Sequence, residues 1–307
     1  MSSADSGWLR DLAVRGVLWR RLLDWTITNV PFYLHPILLW FCTVFFFFFA
    51  APARRSLVAN LAVVLPGSNW FMNQLRAFRT LHTFAWTIAE AAVYKLRQAE
   101  FAYSIEGEAI LDELAAARGA IVLTAHMGNY DLGAALFAQK VGRELRMVRE
   151  PEADVKSAEH LQASLQQIGA GAVRIDYNTQ GAALSFDLLQ ALRNGEIVSI
   201  QGDRATRNAA EAIGRIFNTD VPLPSGPFTL AFAAQVPIYP LFVVRLGYRR
   251  YRIILRAPLH LLRSGPDRAV EISQAIGKWC RVLEEILSQH HRQWFAFTPL
   301  LMGHAES

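Results

Sequence analysis

His126 and Asp131 stand five residues apart in the stretch IVLTAHMGNYDLG, residues 121–133. A histidine and a carboxylate are enough for general-base chemistry. The carboxylate holds one imidazole nitrogen, and the other takes a proton from an attacking hydroxyl or amine. On one continuous helix, residues five apart differ by about 140° and do not meet. Across a strand-to-helix corner they can. Residues 120–125 (AIVLTA) read as a buried apolar strand, and Met127 and Gly128 as the turn. Asn129 is a candidate N-cap, with Asp131 in the first helical turn. A carboxylate there is favoured in its ionised form, and the helix start offers N–H groups to a developing oxyanion. No Ser or Cys lies in the motif, which favours direct transfer over a covalent intermediate. The spacing alone also fits an ordinary strand-end histidine. No further ligand stands three or four residues away, so no metal is expected.

Other residues could share the work. Asp203 and Arg204 follow the predicted 196–201 strand, on the same sheet edge as His126 if the strands are parallel. Arg204 could bind a phosphate or steady the oxyanion, or the two could form a structural ion pair. Arg149 closes the strand after the motif helix and is a similar candidate, or a surface charge. Ser225 and Gly226, ahead of Pro227, open a helix whose backbone could approach an acyl chain or phosphate, or form a plain cap. Gln293 and Trp294 read as structural. Phe217 and Phe228 read as tunnel lining or core.

These residues need a scaffold, and the periodicity supplies one. Strands are predicted at 102–106, 120–125, 144–149, 172–176, 196–201, 236–244 and 251–256. Helices are predicted at 108–117, 129–139, 155–168, 179–193, 227–234 and 268–289. The alternation predicts an α/β fold, with a mixed, partly parallel central sheet flanked by helices. Residues 54–99 carry a helical pattern. Ahead of them lies an uncharged window, 26–53, with the apolar run ILLWFCTVFFFFFAA at 37–51. That run covers about 22 Å as a helix, short of the ~30 Å of a bilayer core. It reads as a short transmembrane helix or one dipped into a leaflet, started by Pro31 and Pro36, with Arg54 and Arg55 at headgroup level, or else as a buried core helix. Residues 8–25 are basic and amphipathic. The chain thus divides into a membrane-associated segment, 1–55, and an α/β domain, 56–307.

Composition sets bounds. Apolar residues make up 52% of 307, and mean hydropathy is +0.19. This suits a soluble core with a membrane-embedded portion. Two cysteines, Cys42 and Cys280, suggest no disulfide framework. The net charge is +5, with 27 Arg against 4 Lys, which fits phosphate contacts or merely the base composition of a genome. No basic run exceeds two residues, so a nucleic-acid partner is not expected.

The H-x4-D motif after an apolar strand resembles the signature of the lysophospholipid acyltransferase superfamily. The surroundings are most similar to its branch of late lipid A biosynthesis (lauroyl/myristoyl) acyltransferases. Agreement extends, in order, to RRSLVANLAVVLP (54–66), IVSIQGDRA (197–205), PLPSGPFTLAFAAQVPIYPLFVVR (222–245) and HHRQWFAFTPL (290–300). The chain departs in having Asp131 where Glu is common, and His291 and Arg292 where Pro is usual. The resemblance implies transfer of a fatty acyl group from acyl carrier protein or acyl-CoA to a membrane lipid, with His126 and Asp131 catalytic and no cofactor. It implies a bacterial inner-membrane enzyme facing the cytoplasm. The acceptor is a lipid A precursor or another specialised lipid. A non-catalytic lipid-binding protein and a thioesterase are the rival readings.

Overall fold

The computed structural model describes residues 17–97, 99–150, 173–179, 181–205, 210–261 and 267–301. Four helices come first: α1 (Val17–Asn29), α2 (His35–Phe49), α3 (Ala51–Val64) and α4 (Trp70–Arg97). Then follow β1 (Ala102–Glu106), α5 (Glu108–Ala116), β2 (Ala120–Thr124), α6 (Tyr130–Val141), β3 (Leu145–Arg149), β4 (Val173–Tyr177), α7 (Ala182–Arg193) and β5 (Ile197–Gln201). The last group is β6 (Glu211–Ile216), β7 (Thr219–Pro224), α8 (Gly226–Ala234), β8 (Ile238–Gly247), β9 (Arg250–Leu255) and α9 (Arg268–His290). The helix expected at 155–168 lies outside the described residues.

Seven strands form one sheet in the order β1-β9-β8-β2-β5-β3-β4. Strands β8, β2, β5, β3 and β4 run parallel, while β9 turns back on β8 and β1 lies parallel to β9. This is the expected mixed sheet. Strand β2 is buried from end to end, and its side chains alternate between two cores. Ala120 and Val122 join the core under α5 and α6; Ile121 and Leu123 join the one under α7, α8 and α9. Both faces being covered explains why the strand reads as a continuous apolar run.

Two features differ from the sequence expectation. The helical pattern of 54–99 breaks at Pro66 and Gly67, the latter with φ +77°, and Asn69 Oδ1 then accepts the Met72 N–H at 2.8 Å to start α4. Strands β6 and β7 were not foreseen. They form a two-stranded antiparallel ribbon around Phe217 and Asn218, both with positive φ (47° and 61°). Prolines 222 and 224 argue against a strand, but a free ribbon edge needs no N–H from them.

The N-terminal helices are bound into the α/β body. Glu90 of α4 is fully buried and accepts hydrogen bonds from Arg245 Nε (3.0 Å) and Nη2 (2.9 Å), the Arg249 N–H (3.0 Å) and the Tyr251 hydroxyl. A buried carboxylate needs such donors. Asn60 of α3, also fully buried, donates to the Ala296 and Thr298 carbonyls and accepts from the Leu300 and Leu301 N–H groups. Removing it strands four backbone groups. Asn60→Ala is expected to cost about 2 kcal/mol or more of folding free energy, read as a lower urea midpoint; an unchanged midpoint would show that the tether contributes nothing.

Candidate active site

Register in the sheet sets the site. Strands β2 and β5 pair in parallel with Thr124 opposite Gln201. Two residues further along each chain, His126 therefore meets Asp203. The imidazole Nδ1 lies 2.7 Å from Asp203 Oδ1, and the His126 backbone N–H donates to the same oxygen at 3.2 Å. The Trp294 indole N–H donates to Oδ2 at 2.9 Å. Just before Asp203, the Gly202 carbonyl accepts from the Trp279 indole at 2.9 Å, fixing the end of β5.

The turn after His126 is tight. Gly128 has φ +55°, and a Cβ there would lie 1.6 Å from the Val243 carbonyl oxygen, so only glycine fits. Its N–H donates to the Gln293 carbonyl at 3.0 Å, and the Phe295 N–H donates to the His126 carbonyl at 2.8 Å. The segment after α9 thus runs beside the turn and delivers Trp294 to Asp203.

Asp203 is buried, which by itself would raise its carboxyl pKa. Attraction to His126 and Arg204 and the hydrogen bonds from His126 and Trp294 outweigh this and hold it well below the usual carboxylate range. An ionised Asp203 places the imidazole proton on Nδ1 and leaves Nε2 with its lone pair. Burial lowers the His126 pKa below its ordinary value; Asp203 raises it only in part, and Arg204 and Arg149 push it down. The ring is neutral at neutral pH, as a base must be. Arg204 lies with Nε 3.1 Å from His126 Nδ1 and 3.9 Å from Asp203 Oδ2, and donates to the Phe295 carbonyl at 3.2 Å. With the Nδ1 proton committed to Asp203, the role of Arg204 at the ring is that of a nearby positive charge.

Asp131 is not the carboxylate that holds the imidazole. It pairs with Arg149 Nη1, which also reaches the Tyr130 hydroxyl at 3.3 Å and lies 5.4 Å over its ring. The reason is local: in the first turn of α6, Asp131 faces the end of β3, where Arg149 sits. Asn129 caps α6, accepting the Leu132 N–H at 3.3 Å, so the N–H groups of Tyr130 and Asp131 have no acceptor among the described residues.

Beside this pair opens a slot between the sheet and α6. Apolar side chains line it, among them Val122, Ala134, Phe137, Met147 and Val243, with Thr124, Tyr130, Arg149, Ser199 and Gln201 as its polar members. It encloses about 460 Å³ including its open mouth. It is a narrow crevice. The Tyr130 ring lies 6.1 Å from that of His126. Among the described residues, no three His, Cys, Asp or Glu side chains converge as a metal site.

A base with its orienting carboxylate beside an apolar slot is a constellation for group transfer, and comparison with known proteins names the group. The family model for bacterial lipid A biosynthesis acyltransferases matches residues 20–302. The chain belongs to that family. It is an acyltransferase. A search of curated proteins finds no match.

Among the candidate residues of the acyltransferase, the fold gathers His126, Asp203 and Arg204 at one point and Asp131 and Arg149 at a second, next to the slot. Ser225 and Gly226 join neither. The Ser225 hydroxyl donates to the Ala210 carbonyl at 3.0 Å, tying the base of the β6–β7 ribbon. Trp294, read from the sequence as structural, touches the Asp203 carboxylate directly. Two expectations follow. Asp203→Asn should lower kcat about 10²-fold or more and exceed the effect of Asp131→Asn; the reverse order would undo the assignment. Because the His126 pKa is lowered, the base stays neutral below the ordinary imidazole value of about 6.5. Activity should fall as pH drops through a midpoint under that value; an acid limb centred above it would contradict the geometry.

Proposed function

We propose that this acyltransferase moves a fatty acyl group from an acyl thioester, carried on acyl carrier protein or coenzyme A, to a hydroxyl or amine of a membrane lipid such as a lipid A precursor. The observation that carries the reading is a neutral imidazole, its Nδ1 engaged by Asp203, whose neighbour Tyr130 lines an apolar crevice. His126 Nε2 takes the acceptor proton as its oxygen or nitrogen attacks the thioester carbonyl. The tetrahedral intermediate collapses with cleavage of the C–S bond, and the imidazolium returns its proton to the departing thiolate. Asp203 holds the ring and stabilises the transient positive charge. The Tyr130 and Asp131 N–H groups at the α6 N-terminus, with Arg204, are suited to the oxyanion. Arg149, held by Asp131, suits a phosphate of donor or acceptor.

The crevice is proposed to take the acyl chain, which would shield the thioester from water. An enzyme serving a lipid acceptor belongs at the bilayer. We place it on the bacterial inner membrane with the sheet domain in the cytoplasm, where acyl thioesters are made.

The reading is tested with purified protein, a radiolabelled acyl thioester and extracted lipid acceptors. Labelled lipid product should form, and His126→Ala should reduce it by about 10³-fold without loss of folding. Free fatty acid as the main product would make the protein a thioesterase instead. A second test concerns the crevice. Ala134→Phe should shorten the preferred acyl chain, with about a tenfold loss in kcat/KM for every two methylenes displaced. An unaltered chain-length profile would remove the crevice from the acyl path.

A further inference from the structure

We infer that the acyltransferase docks on one leaflet of an anionic bilayer through the outer face of α2 and the first turn of α4, and that α2 does not cross the membrane. This rests on the membrane reading above and adds the mode of contact.

The surface is apolar and open. No Asp, Glu, Lys or Arg occurs from residue 26 to 53. The stretch Phe32–Phe49 is apolar enough to cross a bilayer, and only 11% of it is buried. Phe48 is 65% exposed, and Trp70, opening α4, is 72% exposed. Patches of this size on a soluble face mark an interaction site.

What rules out a crossing is that both ends of α2 are fastened to the same body. On the N-terminal side, Ile27 of α1 is buried against Ala89, Ala92 and Val93 of α4, and Asp24 pairs with Lys95 at 3.3 Å. On the C-terminal side, α3 begins at once, and its Leu57 packs on Ala77 and Leu81 of α4. Between these clamps α2 lies along α4. His82 Nδ1 is 3.0 Å from the Thr43 hydroxyl, and Phe47 meets Phe78 at 5.5 Å between ring centroids. Helix α4 in turn is bonded to the sheet through Glu90. Sending α2 across would break one clamp or draw α4 in with it. The second route would bury Arg79, Lys95 and Arg97 in hydrocarbon, each at about 2.5–3.5 kcal/mol. Helix α2 is moreover 15 residues long, about 22 Å against ~30 Å of hydrocarbon.

Lipid, and not a second copy of the chain, matches the rim. Arg21 on α1, Arg55 on α3 and Arg79 on α4 are exposed on the helices that carry or adjoin the patch, and a net charge of +5 favours anionic headgroups. Tyr33, Trp40 and Trp70 are the amphipathic aromatics of a membrane interface. The docked face also lies close to the chemistry. Phe47 packs in one cluster with Phe297; Phe297 and Phe295 both meet Phe84 at 4.9 Å, and the Phe295 N–H holds the His126 carbonyl. One aromatic layer separates the leaflet from the catalytic turn.

The test uses full-length protein added to sealed vesicles of phosphatidylglycerol and phosphatidylcholine. In a Cys42→Ser background, Thr28→Cys before α2 and Ala62→Cys on α3 should both react fully with an impermeant maleimide from outside. Native Cys42, on α2, should react only with a lipid-soluble reagent. Phe48→Asp combined with Trp70→Asp should weaken vesicle binding at least tenfold, with the thermal midpoint unchanged. Protection of Thr28→Cys until detergent is added would mean that α2 crosses and would overturn this inference alone. Full vesicle binding by the double Asp variant, or a dimer that buries the patch, would also overturn it. Wild-type protein that binds no vesicles would sink the membrane reading itself.

Discussion

A hydrogen bond between a buried carboxylate and an imidazole governs this site. Asp203 lies on the sheet edge with its charge removed from water, a state that persists only because donors surround it. The His126 ring and backbone and the Trp294 indole supply them, with the Arg204 charge 3.9 Å away. These groups come from the end of β2, the end of β5 and the segment after α9. The carboxylate therefore locks three distant stretches of chain into one geometry. The same arrangement fixes the tautomer and turns Nε2 into the basic atom.

The two carboxylates near the motif have separate duties because their neighbours differ. Asp203 faces a ring that must stay neutral. Asp131 faces Arg149 and neutralises part of a cation beside the apolar crevice. Had Asp131 held the ring, Arg149 would stand as an uncompensated charge near His126, depressing its basicity further. Splitting the charges keeps the imidazole and the Arg149 cation in separate pairings.

Helix α4 is the spine that joins chemistry to surface. One side carries α2 and α3; another presents Glu90 to β8 and β9 and the Thr87 carbonyl to Asn129, the cap of the motif helix. Buried Asn73, Thr87 and Glu90 along it are paired, and so the apolar outer helices are held against the sheet.

Much of this was legible in the sequence. The uninterrupted apolar run at 120–125 required a strand covered on both faces, and the residues after it required a sharp corner into a capped helix, which placed His126 at a sheet edge. The uncharged aromatic window required an exposed apolar helix. What a linear reading misjudged was the partner of His126. Five residues of spacing made Asp131 the nearest carboxylate along the chain. Parallel pairing of β2 with β5 instead brings in Asp203 from 77 residues away. Register was the available signal, since two strands ending level put the second residue past each end face to face. The β6–β7 ribbon was hidden by its prolines and by a turn whose residues do not announce positive φ. Local sequence therefore determined the elements and the place of His126 at a strand end, because period and capping are short-range properties. Only the tertiary structure decided which charges meet, because that depends on strand order and register, set by burial across the whole sheet.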